Sequence, residues 1–140
     1  MKQEEFQLLA DFRARLRLFS AFSEQQSAAL GLTAQQYQAL LAIKGKPATE
    51  VVTITELAQA LAIKHNSAVG MVDRLEREGF VTREPSQEDR RRVQVKLTPQ
   101  GEKVFRRLAI AHRIELHRIS ADFLRDFKYF SKPVRRIKGG

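Results

Sequence analysis

The sequence predicts a mainly α fold that carries one small β-hairpin. Three observations predict it. Apolar residues recur at three- and four-residue steps through most of the chain, the period of a helix with one buried face. Between residues 81 and 97 the period shortens to two, with Val93, Val95 and Leu97 alternating with Gln94 and Lys96. A short capped helix, a tight turn and a second helix stand directly before that hairpin, the order of a helix-turn-helix followed by a wing.

Each element has a local reason. From Glu5 to Leu30 a stripe of Leu8 or Leu9, Phe12, Leu16, Phe19 and Phe22 predicts a long first helix, stopped by Gly31, with Arg13, Arg15 and Arg17 mostly off the stripe. Thr33 and Gln36 form a capping box for a second helix that ends near Lys44, and Leu32 can staple to Tyr37. Val51-Val52 allows only a very short strand. Thr53 and Glu56 repeat the capping box before a short helix, Ile54 to Leu61. After the tight connection Ala62-Ile63-Lys64, a helix from about His65 buries Ala68, Met71, Val72 and Leu75 and stops at Gly79, with Phe80 making the accompanying apolar contact. Val81–Glu84 and Val93–Leu97 are the strands, and Pro85–Arg92 is their charged tip. Thr98 caps the last helix with Pro99 at its first position. That helix runs on or bends near Ser120, through Phe123, Leu124, Phe127 and Phe130, until Pro133 ends it.

Composition bounds the function. The chain has 140 residues with no cysteine, which excludes disulfides, a catalytic thiol and a cysteine zinc site. No apolar run approaches the roughly 20 residues that span a membrane. The opening MKQEEFQLL has acids where a secretion signal needs bases, so a cytoplasmic location is expected. Phosphate loops, nucleophile motifs and acid–base pairs are missing, and an enzyme is not expected. No cofactor is expected either. His112 and Glu115 can share a helix face, but His117 points elsewhere, so a metal is not expected.

The net charge of +9 points to an anionic partner, nucleic acid before a membrane surface. Residues 103–140 hold eleven basic and three acidic groups, while residues 64–92 are nearly balanced at seven and six. A case for DNA in the middle of the chain therefore depends on where single charges point. On the helix after the turn, the face opposite the buried one carries Asn66, Ser67, Gly70, Arg74 and Arg77. His65, Asn66 and Ser67 lie at the N-terminal end, which meets base edges in the major groove. Asn bonds adenine through two hydrogen bonds, and Ser serves either base type. Gly70 costs about 0.8–1 kcal/mol relative to alanine in a helix. It permits close approach to a backbone or base, or else relieves crowding within the protein. At the wing tip, Arg90, Arg91 and Arg92 can enter a narrow minor groove. Asp89 opposes phosphate and makes sense if it pairs with a neighbouring arginine and orients the tip. The alternative is a solvated charged loop.

Four segments together carry a resemblance: Thr55-Glu56-Leu57-Ala58, Val72-Asp73-Arg74-Leu75-Glu76, Gly79-Phe80-Val81, and Asp89-Arg90-Arg91 leading into Val93–Leu97, Thr98 and Gly101. In order and spacing the chain resembles the MarR (multiple antibiotic resistance regulator) family of winged-helix transcription factors, from about Glu5 to Phe130. The resemblance implies a homodimeric, ligand-responsive repressor that binds pseudo-palindromic double-stranded DNA. It implies major-groove reading by the helix from His65 and minor-groove insertion of Arg91 held by Asp89; beside these, Thr55 and Arg74 are expected to anchor phosphates. It also implies release of DNA by a small aromatic or phenolic effector bound between the end helices and the winged lobe, where Phe12, Phe19, Tyr37 and His112 are the candidates. Core packing is the alternative for each of those four.

The expected organisation is one domain: dimerisation helices at 1–31 and 99–131, a winged helix-turn-helix lobe at 32–98, and a basic tail at 132–140. The dimer surface is expected on Phe6, Leu9, Leu116, Phe123, Phe127 and Phe130, since large apolar faces at both termini need cover. Packing of the two end helices within one chain is the alternative. Two features depart from the family pattern. Arg92 stands where a small or apolar residue is usual, and the last helix is cut short by Pro133. A competing function is a winged helix that contacts only proteins. The three-arginine wing argues against it.

Overall fold

The computed structural model describes residues 1–134. Its elements are α1 (Gln3–Ala29), α2 (Ala34–Lys44), α3 (Ile54–Leu61), α4 (His65–Arg77), β1 (Val81–Pro85), β2 (Val93–Leu97) and α5 (Pro99–Phe130). The basic tail expected beyond Val134 lies outside the described residues.

Capping sets the helix starts. Both capping boxes close: Gln36 N donates to Thr33 Oγ1 at 3.0 Å, Glu56 N donates to Thr53 Oγ1 at 3.2 Å, and each third-position side chain accepts from its cap backbone. α4 ends where Gly79 takes φ +85°. Phe80 N then donates to Leu75 O and Gly79 N to Glu76 O, which satisfies the last carbonyls. The turn between α3 and α4 depends on Ala62 at φ +53°. That left-handed conformation costs roughly 1–2 kcal/mol for a residue with a Cβ.

β1 and β2 pair antiparallel, Val81 opposite Leu97 and Pro85 opposite Val93. Pro85 is tolerated because a two-stranded ribbon has only edges. The scrap of strand expected at Val51-Val52 is not one. Val95 N donates a single bond to Val52 O at 2.8 Å, too little for a ladder.

Leu40, Leu57, Val72, Leu75, Val81, Val95 and Leu108 form the heart of one apolar core shared by α2, α3, α4, the hairpin and the start of α5. The lobe joins α5 through Thr98. Its hydroxyl donates to Gly79 O at 2.6 Å and accepts from Gly101 N at 3.0 Å, while Thr98 N donates to Phe80 O. A Cβ at residue 101 would lie 2.0 Å from Phe80 O, so this approach requires glycine.

α5 is one unbroken helix of 32 residues, about 48 Å long. The helix is not interrupted at Ser120, whose hydroxyl donates to His117 O within the helix. The far half of α5 is held along α1 instead. Asp126, 3% exposed, accepts from Arg15 Nε at 2.8 Å and from its terminal nitrogen, and this pairing pushes the guanidinium pKa up. Phe12 sits among Phe123, Phe127 and Phe130, with ring centres 5.6–5.9 Å away.

Of the residues expected on the dimer surface, Phe123 and Phe130 are half-buried against Phe12 of their own chain, and Phe127 meets the same ring while staying exposed. Phe12, expected at the effector pocket, makes this contact with the end of α5.

Candidate nucleic-acid interface

The turn at Ala62 brings the N-terminal ends of α3 and α4 beside the root of the wing. One open cleft is lined by Thr53, Thr55 and Glu56 of the α3 start, His65 of the α4 start, and Arg92 and Val93 of the wing. Thr55, His65, Asn66 and Ser67 are all exposed on this side. Arg74 and Arg77 are exposed further along α4. A Cβ built on Gly70 meets nothing within 4 Å, so crowding inside the protein does not explain that glycine.

The three wing arginines diverge. Arg91 is 93% exposed and is held from behind: its backbone N donates to Asp89 Oδ1 at 3.0 Å, and its Nε lies 3.4 Å from the same oxygen. Arg90 is exposed. Arg92, expected beside them as a DNA contact, instead folds back and puts Nη2 3.4 Å from Glu56 Oε1. A carboxylate left half-free by its capping role draws it there.

Sequence reasoning passed over Arg83 of β1. Its backbone N donates to Glu76 Oε2 at 3.0 Å, and its guanidinium bridges Asp73 and Glu76 of α4. The strand's two-residue alternation places Arg83 on the same side as Val81, a usable signal.

Behind the lobe, His112 is buried where α1, α2 and α5 meet. Its Nδ1 bonds Leu108 O at 2.7 Å and its Nε2 bonds Ser23 Oγ at 2.9 Å. A carbonyl only accepts, so Nδ1 carries the proton and Nε2 accepts from the serine. Tyr37 stacks on the ring at 4.3 Å, and Phe22 and Phe19 meet it edge-on. Burial pushes the Tyr37 phenol pKa up. Phe19, Tyr37 and His112 are thus brought together, and their own rings pack the junction.

On the end helices, Phe6, Leu9, Leu116 and Phe127 are exposed. A further stripe went unnoticed in the sequence. Ile110, Ile114 and Leu124, spaced with His117 and Ala121 in alternating four- and three-residue steps, are exposed on the outward face of α5, Ile114 at 64%.

The sequence model of the MarR family matches residues 30–92, which contain α2, α3, α4, β1 and the wing tip. Over that segment the chain is similar to the MarR family. Among curated relatives, it is 38% identical over 65 residues to the uncharacterized HTH-type transcriptional regulator YfiV of Bacillus subtilis, covering 46% of this chain and 41% of YfiV. The chain spans less than half the length of the first curated relatives it matches. Its fold is similar to that of AbsC, a MarR family transcriptional regulator from Streptomyces coelicolor. The TM-score is 0.72 at 23% identity, over 88% of this chain and 82% of AbsC. It is also similar to Staphylococcus aureus MepR in a MepR–DNA complex, with TM-score 0.66 at 21% identity over 78% of each chain. Among the described residues, no helix is long and apolar enough to cross a membrane.

Proposed function

We propose that this chain is a MarR-family, cytoplasmic, sequence-specific double-stranded DNA-binding regulator that acts as a homodimer on a pseudo-palindrome and represses transcription until an effector binds. The observation that carries the reading is the cleft. It sets the exposed ends of α3 and α4 beside a wing whose Arg91 is held outward by Asp89. In this reading Asn66 and Ser67 meet bases, with His65, Gly70 and Arg77 lying along the same groove. Thr55 and Arg74 anchor phosphates, Arg91 enters the minor groove, and Arg90 adds charge beside it. The MepR–DNA complex, a structure of the same fold, supports this use of the lobe. The exposed apolar faces of α1 and α5 support the dimer. In a two-fold dimer the two α4 helices stand about 34–36 Å apart, one turn of DNA. The Phe19–Tyr37–His112 cluster, aromatic with polar atoms at its centre, supports a small aromatic or phenolic effector that enters by prising α1 from α2.

Binding of labelled genomic duplexes across salt concentration tests the reading, with Arg91→Ala beside the wild type. Tight binding to a palindromic fragment is expected, with a steep salt slope. Arg91→Ala should cost roughly 1–3 kcal/mol. Weak, sequence-indifferent binding that ignores Arg91 would overturn it.

A further inference from the structure

We propose that Arg92 is a positioning residue, a strut whose ion pair with Glu56 aims the wing so that Arg91 meets the duplex. The inference rests on the DNA-reading function proposed above and adds a role for the one wing arginine that does not point outward.

Glu56 is a fixed post. Its Oε2 accepts from Thr53 N at 3.4 Å in the capping box, so the start of α3 sets its place and leaves Oε1 to face Arg92. Arg92 is also where the tip closes on itself. Its N donates to Asp89 O at 3.0 Å, and its O accepts from Ser86 N at 2.8 Å, with Ser86 buried beneath. A restraint on the Arg92 side chain is therefore a restraint on the whole tip. The opposite strand is tied to α4 by Arg83. The wing thus hangs from both helices of the helix-turn-helix, one strand on each, and Arg91 lies at the tip between the two ties. With its charge placed on a carboxylate inside the cleft, Arg92 is poorly placed for a phosphate. A half-exposed pair of this kind adds little to stability, but it selects one wing angle.

The test compares wild type, Arg92→Gln, Glu56→Gln and the double variant, each also carrying Arg91→Ala. Glutamine at residue 56 keeps the capping box. Affinity for the tightest-binding duplex is measured across salt, and backbone amide hydrogen exchange at the wing tip is measured without DNA. Each single variant should bind roughly two- to five-fold more weakly. The double should be no worse than either single, with salt slope and melting temperature unchanged and faster exchange at Arg91 and Arg92. No further loss should appear on the Arg91→Ala background. If Arg92→Gln lowers the salt slope by about one phosphate contact while Glu56→Gln tightens binding, Arg92 touches DNA and the strut is wrong. Unchanged exchange in both variants would also overturn it. If the wild type reads no sequence, the function beneath fails, and exchange alone still decides whether the pair restrains the wing.

Discussion

The lobe between Leu32 and Val95 and the two end helices are built on different terms. Among the described residues, all but two of the buried apolar side chains lie in the lobe. α5 adds Phe105 and Leu108, and the buried residues of α1 are Ser23 and Ser27. The lobe closes its core with only the start of α5, caps both helices α2 and α3, and ends α4 on a glycine stop. The end helices are held by the buried His112–Ser23 contact, a charge pair and a half-open aromatic cluster, and they keep Leu18, Ile110, Ile114 and Leu124 in water. Burial of each such side chain would contribute about 1.5–3 kcal/mol. The lobe is thus complete as one chain, and on the proposed function a second copy completes the rest.

The largest expected effect breaks the joint between the two regions. Gly101→Ala drives a Cβ into the Phe80 backbone, which cannot swing aside as a side chain would. Overpacking of this kind costs about 1–3 kcal/mol, and thermal unfolding should begin several degrees lower. An unchanged melt would mean that the lobe and α5 are not closely joined.

A smaller effect belongs to the end helices alone. Asp126→Asn removes the carboxylate that pairs with Arg15 and leaves a guanidinium with too few acceptors. α1 should loosen from the far half of α5, seen as faster amide exchange at both, while exchange in α3 and α4 stays slow. Equal loosening of the lobe would erase the distinction between the regions.

The smallest effect is pH-dependent. Glu102 of α5 bonds Lys44 of α2 at 2.5 Å, and this holds its carboxyl below its ordinary value of 4.5. A folded value below the unfolded one means the stabilisation is present above pH 4.5 and disappears as pH falls through the folded value. Glu102→Gln should therefore cost a few tenths of a kcal/mol at neutral pH, small because both partners are about a third exposed. The difference from wild type should vanish in acid. A difference that grows in acid would contradict the assignment.

The same division explains what could be read in advance. Capping boxes and glycine stops are local rules, acting over three to five residues, and the lobe is made of them; the expected alternation of β2 fails at its start, where Val93 is exposed and Gln94 is buried beside Val95. Asp89 lies two residues from Arg91, so their contact is equally local. Arg15 and Asp126 are 111 residues apart, and each alone resembles a solvated charge. Phe12 could face His112 or the far end of α5, and only the unbroken run of α5 along α1 decides between them. The Ile110–Leu124 stripe hid because α5 carries apolar residues on opposite faces, so no single stripe stands out. Arg92 could not be told from its neighbours until Glu56, 36 residues earlier, stood beside it.

Sedimentation equilibrium at micromolar concentration, with wild type beside Ile114→Glu, tests most directly whether the end helices are finished by a second copy. The wild type should sediment at twice its 16.0 kDa. Ile114→Glu should sediment as a monomer with its lobe still folded, since Ile114 lies outside the core. A wild type that stays a monomer of 16.0 kDa, with or without a palindromic duplex, would contradict the claim.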